Sequence, residues 1–384
     1  MAQLDLAAAA PSRGLAAERS PARHVDGVLV SVSVLLPVYG LFMIYSATHR
    51  SLAEFGQDPG FYLKKQAVFL VVGVIAMVAT AALDYRLVKH FAAFFYVGTV
   101  ALLVLVRTPL GSAARGAQRS FQVGGFQLSP SYFGRLAVIL MLASLLSGVR
   151  GEVTLGHVIR ATVLGAIPMV LVFVQPDLGT TIILSALLVA MLVVSGARAR
   201  YLAVLALVAA LSLFGAFQLH IIRDYQLQRI HSLFDPNADT QRAGYNKLQS
   251  EIAIGSGGVF GRGYLQGTQT NLDFVPEQHT DFIFTVVGEE LGFAGALILL
   301  VLFGVVLWRA YRIAILSKDA FGTFVAAGVA SMIAIQVFIN VGMTIGIMPI
   351  TGIPLPFISY GGSALIADLI GIGLLQSVHM RRSL

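Results

Sequence analysis

The sequence has no cysteine, one tryptophan and few ions, with only 12% of its 384 residues charged. Without cysteine there are no disulfides, no thiolate chemistry and no Cys-based metal site, so any segment outside the membrane is held by packing alone. Soluble domains carry about 25% charged residues, so this chain has roughly half the ions needed to wet a surface. That shortage excludes a water-soluble globular enzyme. A hydrophobic content of 57% and a mean hydropathy of +0.81 exclude a disordered or fibrous chain as well. What remains is a polytopic membrane protein. The net charge of +7 and pI near 9.7 would suit nucleic acid, but the 26 Lys and Arg fall singly in loops. Such dispersal fits the positive-inside rule better than a DNA-binding face.

Apolar stretches of membrane length run over 27–47, 66–83, 91–106, 132–148, 158–174, 178–195, 201–222, 282–308, 322–346 and 358–378. The fold class is therefore all-α and polytopic, with about ten transmembrane helices. Arg13, Arg19 and Arg23 precede the first stretch. Arg86 with Lys89, Arg150, Arg198 with Arg200, and Arg309, Arg312 and Lys318 occupy alternate loops, and Arg381 and Arg382 follow the last stretch. All fall on one side, which is then the cytoplasm, with both termini inside. Residues 1–24, rich in Ala, Pro and Arg, read as a mobile cytoplasmic tail and not as a cleaved signal peptide. Residues 25–384 form a single transmembrane domain, with 223–281 as one long extracytoplasmic loop between the seventh and eighth helices. No internal repeat supports an inverted-repeat transporter.

A transporter places ionisable residues along a path through its helices. Here the stretches are mostly clean, the exceptions being Arg135, Gln336, Asn340, Asp368 and the pair Glu289-Glu290. Polar residues collect in the outer loops: Arg115–Arg119, Gln175–Thr181, Tyr225–Arg229 and Val275–Asp281. A site at the outer leaflet is the economical reading. Asp177 and Asp281 each stand at the start of an apolar stretch, so two readings are open for both. An acid there can cap a helix through backbone N–H groups. Alternatively the two acids converge on one cavity, where a carboxylate acts as general base toward a sugar hydroxyl. His279 beside Asp281 is too sparse for a triad or a metal site.

Arg107, Arg115, Arg119, Arg223, Arg229, Arg242 and Arg262 lie on the outer side, against the positive-inside rule. They are either headgroup contacts on a solvated surface or a bidentate clamp for phosphate or pyrophosphate. The run Ile254–Gly263 can cradle an anion with backbone N–H groups or form a re-entrant turn; it lacks the lysine of a nucleotide P-loop.

The strings DPNADTQRAGYNKLQSEIAIGSGGVFGRGYLQGTQ, FVPEQHTDFIFTVVGEELG and GIPLPFISYGGSALI, with QPDLGTT and RGAQRSF in order, closely resemble the SEDS family (shape, elongation, division and sporulation) over about residues 27–382. Within it, Ala364 of SYGGSAL and the short C-terminal tail resemble the RodA-like elongation branch more than the FtsW-like division branch. The resemblance implies a ten-helix peptidoglycan glycosyltransferase of the bacterial cytoplasmic membrane. It would polymerise lipid II into β-1,4 glycan strands at the outer face, alongside a class B penicillin-binding protein that crosslinks them and the elongation machinery. It also implies that the essential aspartate is Asp281. Arg119, Arg135, Asp177, Arg229 and Gln249 are then the candidate substrate-binding residues. One departure stands out. The family commonly shows PSE followed three residues on by Lys, an acid–base pair at helical spacing; here the segment reads Pro130-Ser131-Tyr132-Phe133-Gly134-Arg135. The acid is gone, so Arg135 is expected to pair elsewhere or to touch substrate.

The implied chemistry is an inverting displacement in which Asp281 deprotonates the acceptor hydroxyl. Arg119, Arg135 and Arg229, or a divalent cation such as Mg or Mn, would neutralise the leaving pyrophosphate. Two rival classes differ in what they require. A lipid II flippase needs a continuous polar path through both leaflets, and a non-enzymatic scaffold needs no carboxylate near a sugar hydroxyl.

Overall fold

The computed structural model describes residues 24–109, 111–114, 117–218, 243–272 and 274–382. Asp26 opens the bundle, its carboxylate accepting from the Leu29 amide at the N-cap of α1 (Gly27–Glu54). Then follow α2 (Phe61–Ala82) and α3 (Tyr85–Leu105), α4 (Pro130–Ser147), α5 (Leu155–Val174), α6 (Leu178–Val194) and α7 (Ala199–Gln218). The second half contains α8 (Ala243–Gly257), α9 (Thr268–Asn271), α10 (Ile283–Glu290), α11 (Gly292–Ile315), α12 (Ala320–Thr344) and α13 (Gly362–Met380). Eight of these are long and apolar enough to cross a membrane, and the shorter apolar helices α6 and α7 fill two further expected positions. The ten-helix expectation agrees with this arrangement. The tail 1–23 and residues 219–242 lie outside the described residues.

Three features depart from the sequence expectation. The stretch 282–308 is not one helix: it is interrupted between α10 and α11, where Gly292 adopts φ +65°. Part of the expected loop 223–281 is helical, as α8 and α9. The segment 107–131 holds a small antiparallel sheet, β1 (Ser112–Ala114), β2 (Ala117–Val123) and β3 (Phe126–Leu128), in the order β1-β2-β3. Val123 pairs with Phe126 across Gly124-Gly125, both at positive φ, a two-residue turn whose twist matches the strands it joins.

Burial sorts the helices. α13 is almost wholly enclosed, packed on α2 and beside α4 and α12, while α2 and α3 turn Val, Ile and Phe outward as a lipid-facing surface does. At the end remote from the hairpin, Arg309 pairs with Asp26 at 2.5 Å, and Gln376 exchanges bonds with the Asp26 backbone (3.1 and 2.9 Å). Arg381 donates to the carbonyls of Ala81 and Ala82. These contacts tie α1, α2, α11 and α13 together where the charges gather.

Candidate active site

At the hairpin end, helix termini and loops surround a cavity of about 520 Å³. β3 forms one wall. Ser363, at the start of α13, donates to the Gln127 carbonyl at 2.9 Å and accepts from the Ser129 amide at 3.1 Å. Phe126 meets Phe69 of α2 edge-on at 5.2 Å. The opposite wall is the turn before α10, which carries Glu277, His279, Thr280 and Asp281.

Asp281 is held through its backbone. Its amide donates to the Glu277 carbonyl at 3.2 Å. Its carbonyl accepts from Nδ2 of Asn340 at 2.8 Å, and the same nitrogen donates to the Ile353 carbonyl at 2.7 Å. Asn340 is completely buried on α12, so one amide fixes the Asp281 turn against the loop 348–361. Across from the carboxylate stands Gly352 at φ +75°, where an added Cβ would lie 3.2 Å from Asp281 Oδ2. The first helical residue of α10 is Ile283 and its N-cap is Phe282. Asp281 therefore stands one residue before the N-cap, on the turn that leads into α10.

Asp177 behaves differently. It is the N-cap of α6, with Oδ1 accepting from the Thr180 amide at 3.0 Å and Oδ2 from the Thr180 hydroxyl at 2.8 Å. It also lines a smaller cavity of about 90 Å³ with Arg119 and Arg135. Ser129, Tyr132 and Pro354 border both cavities, so the two adjoin. Arg119 reaches this position from β2 by donating Nε to the Gln175 carbonyl at 3.0 Å and a terminal N–H to that of Pro176. Arg107 donates to the Val174 carbonyl at 2.6 Å. Two of the outer arginines thus cover the carbonyl end of α5, where the helix dipole favours cations.

Arg135 is 1% exposed. It donates to Gln336 Oε1, and its guanidinium lies 4.4 Å from the centre of the Tyr132 ring. The buried Asp368 of α13 interacts with it electrostatically. The acid that acts on Arg135 comes from the last helix, at longer range than a direct ion pair. Arg135 Nε is buried without a hydrogen-bond partner beside the small cavity, a donor that an anion there would satisfy.

Other candidates fall elsewhere. Gln249 sits half-buried on α8 and lines neither cavity. Arg229, with Arg115, Arg223 and Arg242, lies outside the described residues. The glycine-rich run after α8 is no anion cradle: its amides donate to the chain at the α10–α11 break, Arg262 N to Glu289 O and Gly263 N to Glu290 O, both at 3.0 Å. The backbones approach so closely that a Cβ on Gly261 would lie 2.1 Å from the Glu290 carbonyl oxygen, which is why glycine stands there. The Glu289 carboxylate is also structural, accepting from the amides of Gln269 and Thr270 at 2.8 and 2.9 Å. Among the described residues no group of three His, Cys, Asp or Glu side chains gathers to hold a metal ion. Both Asp177 oxygens already bind Thr180. Arg119 and Arg135 bring positive charge to the small cavity, and Lys65 brings it to the large one.

Comparison with known proteins gives the family. Residues 27–384 match the family model FtsW/RodA/SpoVE, described as a cell cycle protein. The chain is 38% identical over 361 residues to the peptidoglycan glycosyltransferase MrdB of Escherichia coli K12, covering 94% of this chain and 95% of that one. It is 39% identical over 356 residues to stage V sporulation protein E of Bacillus subtilis, covering 92% and 96%. A solved structure described as structural coordination of polymerization and crosslinking by a peptidoglycan synthase complex superposes with a TM-score of 0.79 at 29% identity, over 93% of this chain and 98% of that one.

Proposed function

The chain belongs to the FtsW/RodA/SpoVE family, and we propose that it polymerises lipid II with Asp281 as general base and Arg135 and Arg119 beside the leaving pyrophosphate. It is a peptidoglycan glycosyltransferase and a multi-pass protein of the bacterial cytoplasmic membrane. The observation that carries the assignment of roles is the pair of adjoining cavities, one walled by Asp281 and the other by two arginines.

The carboxylate of Asp281 takes the proton from the 4-hydroxyl of the acceptor GlcNAc as that oxygen attacks C1 of the donor MurNAc. The C1–O bond to phosphate breaks, its electron pair leaves with undecaprenyl pyrophosphate, and inversion at C1 gives a β-1,4 bond. General-base assistance of this kind supplies about 10²–10⁴-fold. Negative charge grows on the leaving pyrophosphate, and fixed cations in a dry site stabilise it more than in water. The unpartnered Nε of Arg135 supports that role. Asp177 acts mainly by holding α6, and through α6 one wall of the small cavity.

The hairpin end faces outward in this reading, in keeping with the lysines and arginines gathered at the other end. The synthase complex among its structural relatives supports a crosslinking partner, a class B penicillin-binding protein. Ala364, on the rim of the large cavity, supports the elongation branch. Purified protein with lipid II and no partner tests the proposal when glycan polymer and lipid scrambling are scored separately. Polymer is expected. Scrambling without polymer would refute it in favour of a flippase.

A further inference from the structure

Asp281 is not the only part of its turn that faces the large cavity. His279, two residues earlier, presents its ring there, and so do Tyr62 of α2 and Tyr360 of the loop before α13. The three rings form one cluster. Their centroids are 4.7 Å apart for Tyr62 and His279, 4.9 Å for Tyr62 and Tyr360, and 5.7 Å for His279 and Tyr360. All three residues are half-buried, so each keeps surface on the cavity side.

The cluster is fixed from behind by hydrogen bonds that do not involve the rings. The Tyr360 amide donates to the His279 carbonyl at 2.8 Å, joining the two loops. Gln66 of α2, which is 2% exposed, brackets Tyr360: it donates to the Ser359 carbonyl and accepts from the Gly361 amide, both at 3.2 Å. Three segments distant in sequence thus converge on a preformed aromatic wall. Core packing alone would have enclosed such rings. Here the polar-edged rings border open volume in a cavity of mixed lining, with Gln122, Gln127 and Thr280 beside Phe69 and Phe126.

We propose that Tyr62, His279 and Tyr360 form the subsite for the acceptor hexopyranose, an inference that rests on the glycosyltransferase reading above. The C–H faces of a pyranose are weakly positive and apolar, and they stack on electron-rich rings, while the phenol edges hydrogen-bond the ring substituents. His279 of the wall shares its turn with Asp281, and all three rings line the same cavity as that carboxylate, so a sugar lying on the rings occupies the chamber that holds the base. The acceptor's own pyrophosphate lies a disaccharide away and makes no use of the wall.

That separation supplies the test. Lipid II carries sugars and pyrophosphate; undecaprenyl pyrophosphate carries only the second. Binding of each is measured to the full-length protein in nanodiscs, wild type against Tyr62→Leu and Tyr360→Leu, with Tyr62→Phe and Tyr360→Phe as conservative partners. Aromatic contacts of this size correspond to about two- to tenfold in affinity per ring. Each leucine variant should weaken lipid II by that factor and raise KM more than it lowers kcat. Binding of undecaprenyl pyrophosphate should stay within twofold, and the phenylalanine variants should recover most of the loss. Equal weakening of both ligands, or unchanged lipid II affinity, would overturn the subsite. If a leucine variant fails to fold, the same comparison with His279→Leu decides. Should wild type polymerise lipid II while the leucine variants bind it normally, only the subsite is lost; should wild type make no polymer, the glycosyltransferase reading falls first.

Discussion

Replacing Arg135 separates a structural cation from a functional one. Its guanidinium is 1% exposed, bonded to Gln336 and opposed by Asp368, itself 2% exposed. Arg135→Met removes the cation acting on the buried Asp368, a change that costs at most about 3–5 kcal/mol, the value for a broken buried ion pair. Removing both charges at similar volume, as in Arg135→Met with Asp368→Leu, is often near neutral. What then remains is the orphaned Gln336 acceptor, worth about 1–3 kcal/mol. The single variant should therefore be much less stable than the double, and the double should approach wild type in thermal unfolding. Activity should not follow stability. If Arg135 also faces the leaving pyrophosphate, the well-folded double variant should polymerise lipid II at least ~10²-fold more slowly, the usual loss on deleting one preorganised donor. Arg135→Lys keeps the charge but loses the planar fork that serves Gln336 and the Tyr132 face together, so rescue should be partial. A double variant that polymerises lipid II within a few-fold of wild type reduces Arg135 to a structural ion. A single variant as stable as wild type shows that Asp368 is not its counter-charge.

Asp281→Asn preserves shape but cannot take a proton, so the variant should fold normally and polymerise at least ~10²-fold more slowly; near-normal glycan synthesis would remove the general base. Asp177→Ala should cost about 1 kcal/mol of stability through the lost cap and reduce turnover less than Asp281→Asn, so abolished turnover at unchanged stability would contradict its structural role. Asn340→Leu should lower kcat while leaving KM for lipid II near wild type, since it frees the Asp281 and Ile353 carbonyls without touching the cavity; a change confined to KM would argue against positioning. Gly352→Ala forces a left-handed backbone on alanine, at about 1–2 kcal/mol, and crowds Asp281 Oδ2. It should impair turnover more than Gly124→Ala in the hairpin turn, and equal turnover in the two would refute the crowding argument.

The membrane helices were legible because hydropathy over about twenty residues is a strong signal in a chain with so few ions. The hairpin was not, although Gly124-Gly125 between QRSFQV and FQL is a recognisable turn. Its strands are short and polar, and the surrounding 107–131 segment reads as loop. The break at Gly292 did leave a trace, since Glu289, Glu290 and Gly292 interrupt the apolar run there, but hydropathy averaged over the whole stretch smooths it out; Gly261 packs against the Glu290 carbonyl at the bend. At the site, sequence placed Asp281, Asp177, Arg119 and Arg135 in separate loops and helix ends. Four such polar residues can be gathered only by tertiary contacts. Arg135 appeared to lack its acid because helical spacing looks no further than one turn, whereas Asp368 comes from the other end of the chain. The aromatic wall had no local pattern at all: Tyr62 and Tyr360 are single aromatics among many.

What gathers these residues is a recurring device. Loops at the cavity carry carbonyl and amide groups, and each one buried without a partner is costly. Charged fasteners would carry a desolvation penalty of their own. Beside Arg107 and Arg119 on the α5 carbonyls, the chain uses neutral amide side chains. Asn340 holds Asp281 and Ile353, Gln66 holds Ser359 and Gly361, and Gln175 donates to the Leu103 carbonyl at 2.8 Å. All three are at most 2% exposed. An amide carries both a donor and an acceptor without net charge, so it can fix a loop without altering the field at the carboxylate. Fixed loops keep Asp281 and the arginines in place before substrate arrives, and electrostatic stabilisation is strongest when its dipoles need no reorganisation during reaction. The buried Asn and Gln of these helices, which in a transporter would mark a path through the membrane, here serve to brace the loops of a site at one end of it.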